Sequence, residues 1–402
     1  MPQEPLPSVV VHGEGARLVR EKGVLLVYNK WVRPLAAKPE PGQLVVVEDE
    51  EGGLLGCGLY DTVGPVALRL VELYRCSYGT AGEAVRARLA EALEARRRLG
   101  LADGEAPGFR LVHSEGDQLP GLVVDYYAGL VVYQSSSVVW DRLRPVLVEA
   151  LVEALQPRLV YEKSTQRSRR DIGLEPVEAV RYGRGEPRAV IEEDGARFLV
   201  DPRRGQKTGF FLDQRLNRRR FGRLAGGKVL DLFAYTGGFG IHALVNGEAE
   251  EAVFVEEDEH AVELLRENLR LNRVEDRARI VADNVWAFLR RALARRQRYD
   301  AIAVDPPAFI PHPAAKERGA RAYRRLYRDS LRLAAPGASL VLSSCSTHLA
   351  RDEFRDTVAS AAASARKNYT PIGGVEGMPP DHPVRPSSPH LDYLKALHLL
   401  IR

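Results

Sequence analysis

The stretch Asp231-Leu232-Phe233-Ala234-Tyr235-Thr236-Gly237-Gly238-Phe239-Gly240 decides how this chain folds. A short apolar run, Lys228-Val229-Leu230, leads into it, and a helical pattern, Ile241-His242-Ala243-Leu244-Val245, follows. The order is strand, glycine-rich turn, helix. Glycines in such a turn let backbone N–H groups come close to a ligand, and the start of the helix adds the positive end of its dipole. Many nucleotide and cofactor sites use a turn of this kind, so its meaning depends on what recurs at the ends of the strands that follow.

Downstream, strand and helix patterns alternate. Strand runs fall at 229–233, 251–256, 278–283, 299–305, 338–345 and 394–401, with helical patterns between most of them. This alternation implies an α/β fold: a parallel, Rossmann-like sheet with helices on both faces and ligands beyond the carboxyl ends of its strands. Five successive strand ends are polar. They are Asp231; Glu256-Glu257-Asp258; Asp283-Asn284; Asp305-Pro306-Pro307-Ala308-Phe309; and Ser343-Ser344-Cys345-Ser346. A lone acid in such a place is as readily a cap for the next helix as a ligand. Five together describe a nucleoside-shaped site, with Glu256 for both ribose hydroxyls and Asp283 and Asn284 for an adenine edge. The turn has no lysine of a phosphate-binding loop, and it reads Gly237-Gly238-Phe239-Gly240 rather than Gly-x-Gly-x-x-Gly. A triphosphate and a nicotinamide dinucleotide are both disfavoured. A nucleoside without a pyrophosphate points to S-adenosylmethionine, and the constellation resembles the class I methyltransferase fold.

The fourth and fifth strand ends carry the chemistry. Pro306 and Pro307 fix φ, so the Asp305 carboxylate is held facing a flat base. Cys345 stands one strand over, with Ser344 and Ser346 on either side. Free cysteines are most often buried structural residues, and Cys57 and Cys76 are read that way. Cys345 lies at the mouth of the sheet, where a nucleophile reaches substrate. The C5 carbon of a pyrimidine is a poor nucleophile. A thiolate added at C6 makes C5 enamine-like and able to take a methyl group from a sulfonium, while Asp305 hydrogen-bonds N3 or the exocyclic amine of cytosine. Methylation of an exocyclic amine needs no thiolate. Three readings stay open on the residues alone. They are cytosine C5 methylation, methylation of an exocyclic amine of guanine or adenine in RNA (Phe309 after Asp305-Pro306-Pro307 suits it), and a non-catalytic RNA-binding assembly factor.

Upstream, residues 8–75 read as short strands punctuated by Gly and Pro, a small β-barrel-like module. A helix at 82–99, a hairpin at 121–133 and a helix at 139–155 make a second, α+β unit, and the Arg- and Gly-rich residues 165–187 read as a linker or long loop. The division is 1–75, 76–187 and 188–402. The 402 residues carry 58 Lys and Arg against 54 Asp and Glu, a net charge of +4. An Arg-heavy surface suits phosphate contacts, although a bias of the genome gives the same excess. Candidate phosphate contacts are 201–207, 215–223 and 316–328, where Tyr323 and Tyr327 would stack on splayed bases. Each run alone is also what a solvated helix face looks like. Three cysteines make no disulfide framework, which suits a reducing cytoplasm. Met1-Pro2-Gln3-Glu4-Pro5 lacks the basic start and apolar core of a signal peptide, and no apolar run approaches a membrane span.

At this point the sequence resembles a known family, the bacterial 5-methylcytosine methyltransferases of large-subunit (23S) ribosomal RNA. The resemblance rests on Glu115-Gly116-Asp117-Gln118-Leu119-Pro120-Gly121-Leu122-Val123-Val124-Asp125 and on Gly205-Gln206-Lys207-Thr208-Gly209-Phe210-Phe211-Leu212-Asp213-Gln214-Arg215. It rests also on 231–240, 305–309 and Ser344-Cys345-Ser346. The chain departs from the family at Tyr28-Asn29-Lys30-Trp31-Val32, where a His-Pro-Trp run is usual. The resemblance implies an N-terminal PUA domain that binds RNA, a central α+β domain and a C-terminal class I methyltransferase domain. It implies Cys345 as nucleophile and Asp305 as the base-orienting acid. Glu256 would bind the ribose, and Asp283 and Asn284 would lie near adenine. Asp231, Phe233, Ala234, Tyr235, Thr236 and Gly237 would lie near the methionine part, with Arg215 also at the cofactor. It further implies S-adenosylmethionine, ribosomal RNA as partner, a homodimer and no metal. Related RNA cytosine methyltransferases carry a second cysteine beside the fourth-strand proline. Here that place is Pro307-Ala308, which leaves open the base that takes the C5 proton.

Overall fold

The computed structural model describes residues 5–402. The reading of the N-terminus rests largely on residues 1–4, outside the described residues. The chain forms two compact units. One consists of Met1–Ala189, Asp201–Phe210 and Pro380–Pro389; the other of Val190–Val200, Phe211–Pro379 and His390–Arg402.

The first unit holds two five-stranded sheets. The N-terminal one runs in the order Ser8–Val11, Leu44–Asp49, Leu54–Tyr60, Val66–Leu73, Leu26–Tyr28. A helix, Gly13–Lys22, joins Ser8–Val11 to Leu26–Tyr28, in a region whose residues read only as short strands. Two glycines hide that helix from propensity. One of them is required by packing: a Cβ on Gly15 would sit 2.5 Å from the Trp31 Cβ. The other sheet is built from Gly108–His113, Leu122–Tyr127, Leu130–Ser135, Leu159–Ser164 and Val177–Gly183. The long helix Ala81–Arg98 packs beside it, started by Thr80, whose hydroxyl accepts the Glu83 N–H at 3.1 Å. The pattern at 139–155 is two helices, Val138–Arg142 and Arg144–Leu155, separated where Pro145 removes a backbone donor. Leu44, Cys57, Leu59 and Val71 of the N-terminal sheet share one apolar core with Val85, Leu89 and Trp140. The residues expected to form a linker at 165–187 instead form a short helix, Arg167–Asp171, and the strand Val177–Gly183, antiparallel to Leu159–Ser164. That strand is at the sheet edge and only partly covered, so it carries the charge and polarity of a loop.

The stretch 115–125 supplies two acids, the half-buried Asp117 and the buried Asp125, to two buried arginines. Asp117 grips the Arg96 guanidinium at 2.5 and 2.8 Å, and Asp125 grips Arg110 at 2.8 and 2.9 Å. Arg96 also donates to the Asp381 carbonyl at 2.8 Å, and the Arg110 backbone N–H donates to the Asp381 carboxylate at 3.0 Å. Removing one partner of such a buried pair costs about 3–5 kcal/mol.

The second unit is dominated by a seven-stranded sheet. Its first five strands in chain order are Gly226–Leu232, Glu248–Glu256, Ala278–Ala282, Tyr299–Val304 and Ala334–Ser344. They lie parallel in the order third, second, first, fourth, fifth, as alternation with helices demands. The expectation of an all-parallel sheet fails at its far edge. Lys395–Ile401 pairs antiparallel with Ala334–Ser344 on one side and with the short strand Tyr369–Pro371 on the other. The helix Arg351–Ala365 leads from Ala334–Ser344 to Tyr369–Pro371, and the antiparallel return from there to Lys395–Ile401 needs no crossover helix. A hairpin, Ala189–Glu193 and Ala196–Val200, precedes the sheet. Its Glu193 is fully buried, and Arg218 and His242 hold its carboxyl well below the usual range against the opposing effect of burial.

Candidate active site

The first strand delivers Asp231 into a turn that its sequence alone would resist. Phe233 and Tyr235 adopt φ of 60° and 49°, and Gly237 adopts 89°. Left-handed conformations at non-glycine residues cost of order 1 kcal/mol each and concentrate at functional sites. Two acids hold this turn. The Gly240 N–H donates to Asp231 Oδ2 at 2.8 Å, and the Tyr235 N–H donates to Glu256 Oε2 at 2.7 Å. Glu256 Oε1 also accepts the Glu257 and Asp258 N–H groups at 2.9 and 3.0 Å. Asp231 is only 1% exposed, and its Oδ1 and the Thr236 hydroxyl are buried without a hydrogen-bond partner. Burial pushes the Asp231 carboxyl well above the usual range, and the charges of Asp305 and Glu256 push it the same way. A buried, partnerless oxygen among three carboxylates calls for a cation. The sulfonium and ammonium of S-adenosylmethionine fit that donor set.

At the third strand end, Asn284 caps the helix Val285–Ala294 by accepting the Trp286 N–H at 3.0 Å, and its amide donates to Glu257 at 2.9 Å. Asp283 pairs with Arg291, which holds its carboxyl below the usual range. The helix-capping alternative is thus realised at Asn284, and at Asp258, which caps Glu259–Leu271 through the Ala261 N–H at 3.0 Å. Arg215 is buried, with its Nε 3.3 Å from Glu193.

On the other side of the first strand the construction changes. Asp305 Oδ1 accepts the Gln214 amide at 2.7 Å, Gln214 accepts Asn217 at 2.6 Å, and Asn217 Oδ1 lies 3.3 Å from His398 Nε2. Burial lowers the His398 imidazole to about 3, so the ring is neutral and donates through Nε2. This relay ties Asp305 to the far edge of the sheet. Cys345 is half-buried, with its Sγ 3.8 Å from the Pro306 carbonyl. The residues around it are fixed one by one. Ser346 Oγ lies 2.8 Å from the Tyr323 hydroxyl and accepts the Ile310 N–H at 3.2 Å. Tyr327 donates to the Ser343 carbonyl at 2.7 Å, and Lys395 Nζ donates to the Ser346 carbonyl at 2.6 Å.

Tyr323 and Tyr327 are 0% exposed, so they are pillars of this wall and not stacking platforms for RNA bases. Burial raises both phenols. The helix Lys316–Leu333 that carries them keeps Arg318, Arg321, Arg324 and Arg325 on its exposed face. In the 215–223 run, Arg215 and Arg218 are buried on Glu193 and cannot serve as phosphate contacts, while Arg223 is exposed. In the first unit, Arg203, Arg204 and Lys207 of the 201–207 loop are exposed, and Lys163 anchors that loop through the Pro202 and Gly205 carbonyls. Sequence reading missed Gln214, although it lies within the quoted stretch 205–215. It also missed Lys395, which is one polar residue in an apolar strand. Among the described residues there is no cluster of His, Cys, Asp or Glu that could hold a metal ion, and no helix is long and apolar enough to cross a membrane.

Residues 160–383 match the S-adenosylmethionine-dependent methyltransferase family, and residues 9–72 match a PUA-like domain. The chain is 34% identical to a ribosomal RNA large subunit methyltransferase of Deinococcus radiodurans, covering 93% of this chain and 92% of that one. It is 32% identical to ribosomal RNA large subunit methyltransferase I of Aeromonas hydrophila, covering 94% of this chain and 96% of that one. Among solved structures, a methyltransferase complexed with SAH superposes with a TM-score of 0.80 at 21% identity, covering 98% of this chain and 100% of the other. A SAM-dependent methyltransferase from Streptococcus mutans gives 0.78 at 20% identity, with the same coverage. These two structures share the fold, a class I methyltransferase sheet with a PUA-like module before it.

Proposed function

Because the chain belongs to the S-adenosylmethionine-dependent methyltransferases, and among them to the ribosomal RNA large subunit methyltransferase family, we propose that it forms 5-methylcytidine in 23S ribosomal RNA through a cysteine–C6 adduct. The observation that carries this reading is the half-buried Cys345 at the mouth of the sheet, one strand from Asp305. S-adenosylmethionine supplies an electrophilic methyl group on a sulfonium. Asp231, Glu256, Asp283 and Asn284 bind it, with the 233–237 turn and Arg215 completing the pocket.

The remaining steps belong to the chain's own side chains. The Cys345 thiolate bonds to C6 of cytosine, and the C5 carbon gains the electron density to take the methyl group. Asp305, oriented by Gln214, hydrogen-bonds the N3 edge and stabilises the adduct. Loss of the C5 proton to a base returns the electron pair to the ring and releases the thiolate. Residues 1–75 act as the PUA-like RNA-binding domain, 76–187 as the central domain and 188–402 as the catalytic domain, working in the cytoplasm. The exposed arginines of Lys316–Leu333 supply phosphate contacts beside the Asp305 turn.

Two measurements test the reading together. Ribosomal RNA from a strain lacking the protein should lose one 5-methylcytidine from the 23S molecule by mass mapping. RNA carrying 5-fluorocytosine at that position should trap a covalent complex with the wild-type protein and none with Cys345→Ala. Loss of a methylated purine amine would support the amine reading instead. Unchanged RNA would leave only the assembly role.

A further inference from the structure

We propose that Lys395 is a positioning residue for the nucleophile: its ammonium fixes the Ser344-Cys345-Ser346 turn and favours the Cys345 thiolate. The inference rests on Cys345 being the nucleophile. Lys395 is the first residue of the antiparallel strand Lys395–Ile401 and stands in register with Ser344, next to Cys345. It is only 2% exposed, an unusual place for an ammonium. Its Nζ donates to the carbonyl of Ser346, the residue on the other side of the thiol, at 2.6 Å. The side chain therefore spans the cysteine from one flank to the other. Ser346 is also held through its hydroxyl by Tyr323 and Ile310, so the turn has anchors on both its side-chain and its carbonyl side.

The charges around Lys395 fit this role. Burial lowers its ammonium to about 8, Asp392 and Cys345 act to raise it, and Arg351 acts to lower it. Asp392 is itself engaged by Arg351 at 2.8 and 3.0 Å, so Lys395 faces an ion pair whose charges largely cancel. Electrostatic coupling is reciprocal: a thiolate that stabilises the ammonium is stabilised by it to the same extent. Among the neighbours of Cys345 are Tyr323 and Tyr327, phenols raised by burial, and the Asp305 carboxylate at the end of the adjacent strand carries a charge of the same sign as a thiolate. Lys395 is the cation set against that opposition. Its proton is lost as pH rises through about 8, so thiolate support is strongest below that pH and fades above it.

The test measures the thiolate directly, apart from methyl transfer. Full-length protein with Cys57→Ala and Cys76→Ala leaves one cysteine, and its alkylation by iodoacetamide is followed from pH 5 to pH 10. Lys395→Met should move the alkylation midpoint up by about one pH unit and slow reaction at neutral pH about tenfold. Lys395→Arg should keep the lower midpoint and remove the change near pH 8. S-adenosylmethionine affinity near that of the parent shows that each variant is folded. If Lys395→Met is misfolded, Lys395→Gln takes its place with the same expectation. An unmoved midpoint in a folded, charge-neutral variant overturns the proposal. Failure of the nucleophile reading looks different: Cys345→Ala would still methylate RNA, whatever the alkylation midpoint.

Discussion

The two halves of the catalytic sheet are built on different plans. On the side of the first three strands, two acids and an amide hold backbone N–H groups: Asp231 takes Gly240, Glu256 takes Tyr235, Glu257 and Asp258, and Asn284 takes Trp286. Every one of those partners lies in the turn after a strand or in the first turn of the helix that follows it. On the side of the fourth, fifth and edge strands, side chains hold side chains or distant carbonyls. Gln214 reaches Asp305, Tyr323 reaches Ser346, and Lys395 reaches the Ser346 carbonyl. The first plan makes a surface for a constant ligand, because backbone geometry is set by the fold. The second holds individual reactive groups to tight positions through single side chains brought in from elsewhere in the chain. The two halves should therefore fail in different ways.

The strongest test of that difference is Cys345→Ala. It should lower methyl transfer by about 10⁴-fold or more while S-adenosylmethionine affinity by calorimetry stays within about twofold. Equal loss of both would merge the two halves into one. Asp305→Asn comes next, with an expected fall in kcat of about 10²–10³-fold. Gln214→Ala should show a smaller fall of the same kind, read under saturating cofactor. Glu256→Ala belongs to the other half. It should weaken cofactor binding by about 1.5–3 kcal/mol and leave the alkylation rate of Cys345 untouched.

Asp231 sharpens the comparison through pH. Its carboxyl is raised above the ordinary 3.8, so the folded chain keeps a proton that the unfolded chain has already released. The stability this adds is present at low pH and is lost as pH climbs through the raised value. A cationic cofactor favours the ionised form, so its affinity should rise with pH over the same interval, and Asp231→Asn should flatten that rise. A slope that persists in Asp231→Asn would assign the titration elsewhere. The smallest effect is expected from Tyr327→Phe, which loses one buried hydrogen bond to Ser343 and about 1 kcal/mol of stability by denaturant titration.

What the sequence made legible follows the same division. Strand, glycine turn and acid are neighbours in the chain, so Asp231, Glu256 and Asp283 could be placed at strand ends from spacing alone. Asp305 and Cys345 were visible for the same reason. The partners that orient them were not, because Gln214 and Asp305 meet across 91 residues and Lys395 and Ser346 across 49. Tyr323 and Tyr327 were misjudged because a basic helix looks solvated all round when only one face is. The strand Val177–Gly183 reads as a linker or long loop because an edge strand keeps polar residues on both faces.

The decapeptide Pro380–Pro389 belongs to the first unit although it is made almost last. Asp381 closes against Arg96 and Arg110, partners that are 285 and 271 residues earlier in the chain. On the ribosome, the N-terminal half emerges first but waits for its final buried acid until translation is nearly over. A nascent chain interrupted before that point keeps Arg96 on Asp117 and Arg110 on Asp125 but lacks the Asp381 carbonyl and carboxylate that complete them. Premature termination late in the message therefore damages the oldest part of the polypeptide as well as the newest.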